Sequence, residues 1–159
     1  MNLTSIDHEG YRAALDAARA GAAEGGVPIG SSLADSRGVI AAGHNRRVQQ
    51  ADPTAHAEID ALRAAGRRAD YRDTTLYTTL APCALCSGAI VQFKIPRVVI
   101  GEAENFPGEL DWLRQRGIQV LVLDDPEATG LMERFIREQP ALWHEDIAEE
   151  APTRVEPRS

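Results

Sequence analysis

The sequence predicts a three-layer α/β/α sandwich built on a central mixed five-stranded sheet. Three observations carry that reading. Five short β-prone segments are spaced along the chain and, after the first two, alternate with helical stretches, which implies helices on both faces of one sheet. The first two segments are separated only by the turn Ser36-Arg37-Gly38, so they form an antiparallel hairpin and the sheet is mixed. The later segments 97–101 (Arg-Val-Val-Ile-Gly) and 118–123 are nearly continuous apolar sequence, as strands covered on both faces require.

Taken in order, residues 7–24 are helical, with Asp7 or Ser5 as cap. Leu15, Ala18 and Ala22 lie at spacings of three and four and give a small-residue face for close packing on the sheet. Gly25-Gly26 ends this helix, and Val27-Pro28-Ile29-Gly30 leads into the first strand, 31–35, followed by 39–42. Gly43-His44-Asn45 stands at a strand end. Asp52-Pro53-Thr54 opens a helix that carries His56 in its first turn together with Glu58, Ile59 and Leu62, and Gly66 ends it. Residues 74–79 are a β-branched and aromatic strand broken by Pro82, and a helix runs from Cys83 to about Phe93, with Leu85, Ala89 and Ile90 at core spacing. A short helix at 110–116 precedes the last strand. Asp125-Pro126 then caps a helix whose inner stripe is Leu131, Met132 and Phe135. After Pro140 a short terminal helix holds Trp143 to Asp146.

The chain has 159 residues, the size of one domain (1–150) with a polar tail at 151–159. Twenty-four acidic residues against 17 basic ones give a formal charge of -7, which disfavours a nucleic-acid substrate at long range. There is no signal-peptide pattern and no apolar run of membrane length, so no membrane partner is expected and the default location is cytoplasmic. Two cysteines in Cys-x-x-Cys spacing are no disulfide scaffold, and metal-ligating thiolates belong in a reducing compartment.

The chemistry concentrates between His56 and Cys86. His56-Ala57-Glu58 is followed downstream by Pro82-Cys83-Ala84-Leu85-Cys86. One imidazole and two thiolates suit zinc, and three protein ligands leave a fourth position open, as in catalytic sites. Helix N-termini favour the thiolate form of Cys83 and Cys86. Glu58 lies two residues from His56, which is not one face of a regular helix, so the pair converges on one ion only if the helix end points into the site. A redox dithiol, a closed zinc site completed by His8, His44 or His144, and a pair of inert core cysteines are the competing readings. His-x-Glu with Pro-Cys-x-x-Cys is the pattern of zinc deaminases acting on nucleobases, in which Glu58 shuttles the proton.

The motif does not stand alone. Gly26-Val27-Pro28-Ile29-Gly30, Gly43-His44-Asn45, Leu76-Tyr77-Thr78-Thr79-Leu80, Cys86-Ser87-Gly88-Ala89-Ile90, Glu104-Asn105-Phe106, Asp124-Asp125 and Trp143-His144-Glu145-Asp146-Ile147 all resemble fungal cytosine deaminase. The resemblance implies a cytidine-deaminase-like sandwich, a homodimer, one catalytic zinc per subunit and a C-terminal helix that closes the pocket. It further implies that Asn45 bonds the carbonyl and ring N–H edge of the base, that Phe106 and Trp143 wall and roof the ring, that Asp146 accepts from the exocyclic amine, and that Ile29 lines the pocket. The chain departs from the fungal pattern at Ala57, where glycine is expected against the base, and at Asp60, where a small hydroxyl residue is expected. Ala57 is shared with guanine-deaminase-like and transfer-RNA adenosine deaminase families.

The expected function is zinc-dependent hydrolytic deamination of a free aminated nucleobase, cytosine or an aminotriazine analogue. A guanine-type aminohydrolase and a catalytically inactive zinc-stabilised binding protein are the alternatives.

Overall fold

The computed structural model describes residues 2–149; the expected tail at 151–159 lies outside them. Twelve elements follow one another: α1 (Ser5–Ala23), β1 (Gly30–Asp35), β2 (Gly38–His44), α2 (Arg47–Gln50), α3 (Ala57–Ala65), β3 (Thr75–Leu80), α4 (Ala84–Gln92), β4 (Arg97–Glu102), α5 (Leu110–Gln115), β5 (Gln119–Val122), α6 (Pro126–Glu138) and α7 (Pro140–Asp146). The five strands form one mixed sheet in the order β2-β1-β3-β4-β5. β1 runs antiparallel to both β2 and β3, whereas β3, β4 and β5 are mutually parallel.

Neighbouring side chains on one strand point to opposite faces, and the core divides accordingly. Leu76 and Val98 join Leu33, Ile90, Ile95 and Leu113 beneath α3, α4 and α5. Their neighbours Tyr77 and Val99 pack with Ala14 and Ala34 against α1 on the other side. A third cluster at the end of the sheet holds Val27, Ile29, Ala57, Leu80, Met132, Phe135 and Trp143.

α1 is closed by a capping box in which Thr4 accepts from the Asp7 N–H at 3.1 Å and Asp7 accepts from the Thr4 N–H at 2.9 Å. Thr4, not Asp7 or Ser5, is therefore the cap. The buried face is Gly10, Ala14, Ala18 and Gly21; of the expected face only Ala18 is inside, and Ala22 is exposed. The reason is the closeness of the layers: a methyl on Gly30 would collide with the Ala14 carbonyl, and one on Gly10 with the Tyr77 ring. Asp7 is buried and forked by Arg97 at 2.5 and 3.1 Å, with the Tyr77 hydroxyl donating at 2.7 Å.

Three further expectations give way. Residues 52–56 are not helical, because Asp52 accepts from the Thr54 N–H and hydroxyl at 2.8 and 2.7 Å and builds a local turn instead. α3 consequently starts after His56, and the four-residue α2 fills part of the connection. Leu85 is 46% exposed, since α4 is apolar on nearly every side and its spacing selects no single face. β5 is half-covered rather than buried, being the edge of the sheet.

Candidate active site

Two helices aim their first turns at one point. His56 is the residue before α3, with an extended backbone (φ -72°, ψ 158°), and Cys83 holds the same place before α4 (φ -70°, ψ 179°). Cys86 follows one turn into α4. His56 Nδ1 lies 3.4 Å from Cys83 Sγ and 3.5 Å from Cys86 Sγ, and the three ligand atoms all fall within 4.8 Å of one another. Tetrahedral zinc, with bonds of about 2.05 Å to nitrogen and about 2.3 Å to sulfur, separates N from S by about 3.6 Å. The donor set fits the ion in both chemistry and spacing. Among the described residues no fourth His, Cys, Asp or Glu joins this group, which disfavours a closed structural site.

Electrostatics at the triad agree with a metal centre. The hydrogen bond from Cys86, followed by that from His56, lowers the Cys83 thiol to about 4 despite burial. Hydrogen bonding to Cys83 raises His56 to about 9. Cys86 is pushed well up by Cys83 and by burial. One thiolate and one imidazolium thus share protons where a cation would replace them.

Glu58 sits in the first turn of α3 and is 4% exposed. Its Oε1 accepts from the Thr78 hydroxyl at 2.9 Å. Burial, then the Cys83 charge, raises its pKa, the direction that lets a carboxyl both take and return a proton near neutrality.

The rest of the lining comes from the ends of β2 and α7 and from the loop after β4. Asn45, fully buried after β2, donates its N–H to the Ile29 carbonyl at 3.0 Å. Its Oδ1 accepts from the Arg47 N–H at 3.0 Å, which orients the amide, and Nδ2 reaches Asp146 Oδ1 at 3.5 Å. Asp146 is in the last turn of α7, with its pKa raised by burial, and Arg47 Nε stands 3.7 Å away. Phe106 meets Trp143 edge to face, with centroids 6.0 Å apart and planes at 89°. Fully buried Glu102 holds the Phe106 loop, accepting from the Glu104 N–H, the Asn105 N–H and Asn105 Nδ2 at 2.8, 3.0 and 3.0 Å.

All the sequence-derived positions meet here. Ile29, Asn45, His56, Ala57, Glu58, Cys83, Phe106, Trp143 and Asp146 line one cavity, and Cys86 lies behind Cys83 in the triad. The cavity is narrow, with a volume of about 30 Å³. Leu80, Ala81 and Ile147 also line it, and Thr78 and Glu102 brace it. Sequence reasoning assigned none of these five a role, although Thr78, Leu80 and Ile147 lie in segments that carried the resemblance. A larger cleft, about 610 Å³, lies elsewhere, between α3, the 66–72 connection and the end of α4, and contains none of the triad. Among the described residues no helix is long and apolar enough to cross a membrane.

Fold and site together define a zinc-binding hydrolase that deaminates a nucleobase-like substrate. Residues 4–102 match the model of the cytidine and deoxycytidylate deaminase zinc-binding region, and the chain belongs to that family. It is similar to a cytosine deaminase of Candida albicans, 44% identical over 150 residues that cover 92% of this chain and 100% of that protein. A tRNA-specific adenosine deaminase of Haemophilus influenzae is 40% identical over 111 residues, 67% of this chain and 64% of that one. Among solved structures, a guanine deaminase from Nitrosomonas europaea superposes with a TM-score of 0.70 at 26% identity, over 85% of this chain and 86% of its own.

Proposed function

We propose that the chain deaminates a free single-ring aminated base, with cytosine as the substrate and uracil and ammonia as products. The observation that carries this is the lining of the cavity, with Phe106 and Trp143 on one side and Asn45 and Asp146 on the other. His56, Cys83 and Cys86 would hold one zinc, which when bound acidifies a water at the position they leave open. Glu58 takes that proton and delivers it to the ring nitrogen beside the amino-bearing carbon, which makes the carbon electrophilic. Once the water oxygen has bonded to that carbon and made it tetrahedral, Glu58 takes the remaining proton from the new hydroxyl and hands it to the amine; the C–N bond breaks, ammonia departs and the carbonyl forms, so one buried carboxyl serves both transfers.

The Asn45 amide, oriented by the Arg47 N–H, presents Nδ2 to the base carbonyl and keeps a lone pair of Oδ1 for the ring N–H. Asp146 accepts from the leaving amine. Phe106 and Trp143 enclose the ring, with Ile29 and Ala57 against its remaining surface. A ribose at N1 would meet this enclosure, so the nucleoside is excluded. The 44% identity to a cytosine deaminase over that protein's full length supports the same choice.

A homodimer in a reducing, cytoplasmic setting, acting on a small molecule rather than on nucleic acid, completes the reading. Half-exposed Leu85 and Phe93 on and just after α4 support the pairing, and sedimentation at about twice 17.2 kDa tests it. A guanine-type activity is the second reading, favoured by Ala57 and by the likeness to the guanine deaminase.

Ammonia release from cytosine, an aminotriazine, guanine and cytidine at equal concentration tests the assignment. Cytosine is expected to lead, and Glu58→Gln to keep zinc while losing at least ~10³-fold in rate. Preference for cytidine overturns the free-base reading, and guanine with cytosine inert selects the second.

A further inference from the structure

Asp60 stands where the chain departs from the fungal pattern, and its surroundings give it work. It lies one turn after His56 on α3, its N–H donating to the His56 carbonyl at 2.9 Å. One oxygen of its side chain, Oδ2, accepts from the His44 N–H at 3.0 Å and from Arg46 Nε at 2.9 Å. His44 and Arg46 are the two residues that bracket Asn45. The Asp60 side chain is 17% exposed and that of Arg46 33%, so the pair is partly shielded from water.

The contact is built into the backbone as well. β2 is the other edge of the sheet, and the N–H of its last residue, His44, finds its acceptor in Asp60 instead of another strand. For that to happen β2 must lie almost against α3. At Gly43 a methyl group would come within 2.6 Å of both Asp60 Oδ2 and the Ala61 nitrogen, so only glycine fits. The Asn45 N–H to the Ile29 carbonyl and the Arg46 N–H to the Ala55 carbonyl (3.0 and 2.8 Å) hold two residues of the same segment from other sides. A shorter, uncharged hydroxyl at position 60 has neither the reach nor the charge to hold both donors.

We propose that Asp60 is a positioning residue that locks Asn45 to the metal-bearing helix, so that the group reading the base and the group moving the proton are held by one rigid piece. Asp60 touches neither base nor ion; it acts through the segment 44–46. Neither Asp60 nor Arg46 lines the cavity. This inference rests on the assignment of Asn45 to the base carbonyl made above.

The test is a double-mutant cycle on the zinc-loaded protein, read together with amide hydrogen exchange. Asn45→Ala and Asp60→Ala are each expected to lower kcat/KM for cytosine by about tenfold, mostly through KM, with zinc content unchanged. The double variant is expected to fall no more than about twofold below Asn45→Ala alone, because both changes remove the same placement. Losses that multiply, or an Asp60→Ala protein as active as the parent beside a crippled Asn45→Ala, overturn the proposal. Without any substrate, Asp60→Ala is expected to speed exchange of the His44 amide at least about tenfold while amides in the second half of α3 keep their rates. Unchanged exchange at His44 overturns it also. If Asp60→Ala does not fold, Asp60→Asn keeps an acceptor for His44 and loses the charge for Arg46. It is then expected to show a smaller loss, again absent on the Asn45→Ala background; a loss that persists there counts against the proposal. A parent inert on cytosine removes the substrate assignment alone, and the exchange rates then decide the clamp.

Discussion

The Thr78 hydroxyl oxygen stands 2.9 Å from Glu58 Oε1 and 3.1 Å from the Leu80 carbonyl oxygen. A hydroxyl has one proton and can give it to only one of them at a time. While Glu58 is charged, the proton goes to the carboxylate. Once Glu58 carries a proton of its own, Thr78 can accept from it and turn its hydrogen to Leu80. The carboxyl therefore has a partner in each state, which suits the two proton transfers proposed for Glu58. Thr78→Val is expected to lower kcat by about 10–150-fold, the range for a lost hydrogen bond to a charged group, whereas Thr78→Ser stays within about threefold. Steady-state ammonia release checks it, and equal losses in both variants would mean packing, not the hydroxyl, matters.

The metal-free triad should titrate in an unusual way. Cys83 is lowered to about 4 and His56 raised to about 9. In the unfolded chain these groups titrate near about 8.5 and about 6.5. The depressed thiol contributes stability that is complete above about 8.5 and lost as pH falls toward 4; the raised imidazole contributes below about 6.5 and loses it as pH rises through 9. Zinc-free protein is thus expected to be most stable between about pH 6.5 and 8.5 as far as these groups are concerned. Absorbance at about 240 nm should report one thiolate per chain persisting down to about pH 4 and absent from Cys83→Ala. A single titration near 8.5 in the folded protein would contradict it.

Far from the cavity, Asp7 is expected to govern stability alone. Burial by itself would raise its pKa, but Arg97, the Thr4 N–H and Tyr77 hold it well below the usual carboxylate range. A depressed carboxylate contributes fully above about pH 4, and that contribution drains away only as pH drops further, through the folded value. Asp7→Ala leaves Arg97 without its partner and should cost about 3–5 kcal/mol. Urea midpoints of the zinc-loaded proteins measure this, with kcat expected to be unchanged.

Arg47 ties α7 to the segment after β2. Its Nη1 is 2.6 Å from Glu145 and its Nε 3.7 Å from Asp146, both on α7, while its N–H orients Asn45. Only the side-chain contacts vanish in Arg47→Ala. KM for the base is expected to rise about three- to tenfold with little change in kcat, since a loosened α7 weakens binding more than proton transfer. Initial rates over a range of base concentrations test the split.

The strand pattern and the His/Cys/Cys cluster were readable because each shows in short-range spacing: β-branched runs, a turn between β1 and β2, and a His-x-Glu followed downstream by a Pro-Cys-x-x-Cys. Properties set by distant neighbours were not. The inner face of α1 is chosen by how closely Gly30 lets the sheet approach, so spacing alone pointed to Ala22 where the buried residue is Gly21. The start of α3 was misplaced because Asp52 spends its side chain on its own turn, and this moves His56 from the first turn to the cap. That shift is what brings His56 and Glu58 to one point despite a two-residue separation. Glu102 looks like any strand-end carboxylate in the sequence; only the fold reveals that it is buried and serves three N–H groups of the Phe106 loop.

The pieces of the pocket are strung along the chain in an order with a consequence for biosynthesis. His56, Glu58, Cys83 and Cys86 are all present in the first 86 residues, whereas Trp143 and Asp146 come from α7. A polypeptide emerging from the ribosome N-terminus first therefore exposes its complete ligand set long before it has a roof. If these residues act as proposed, ion loading can begin on a nascent chain, but discrimination between bases has to wait for the final helix to dock.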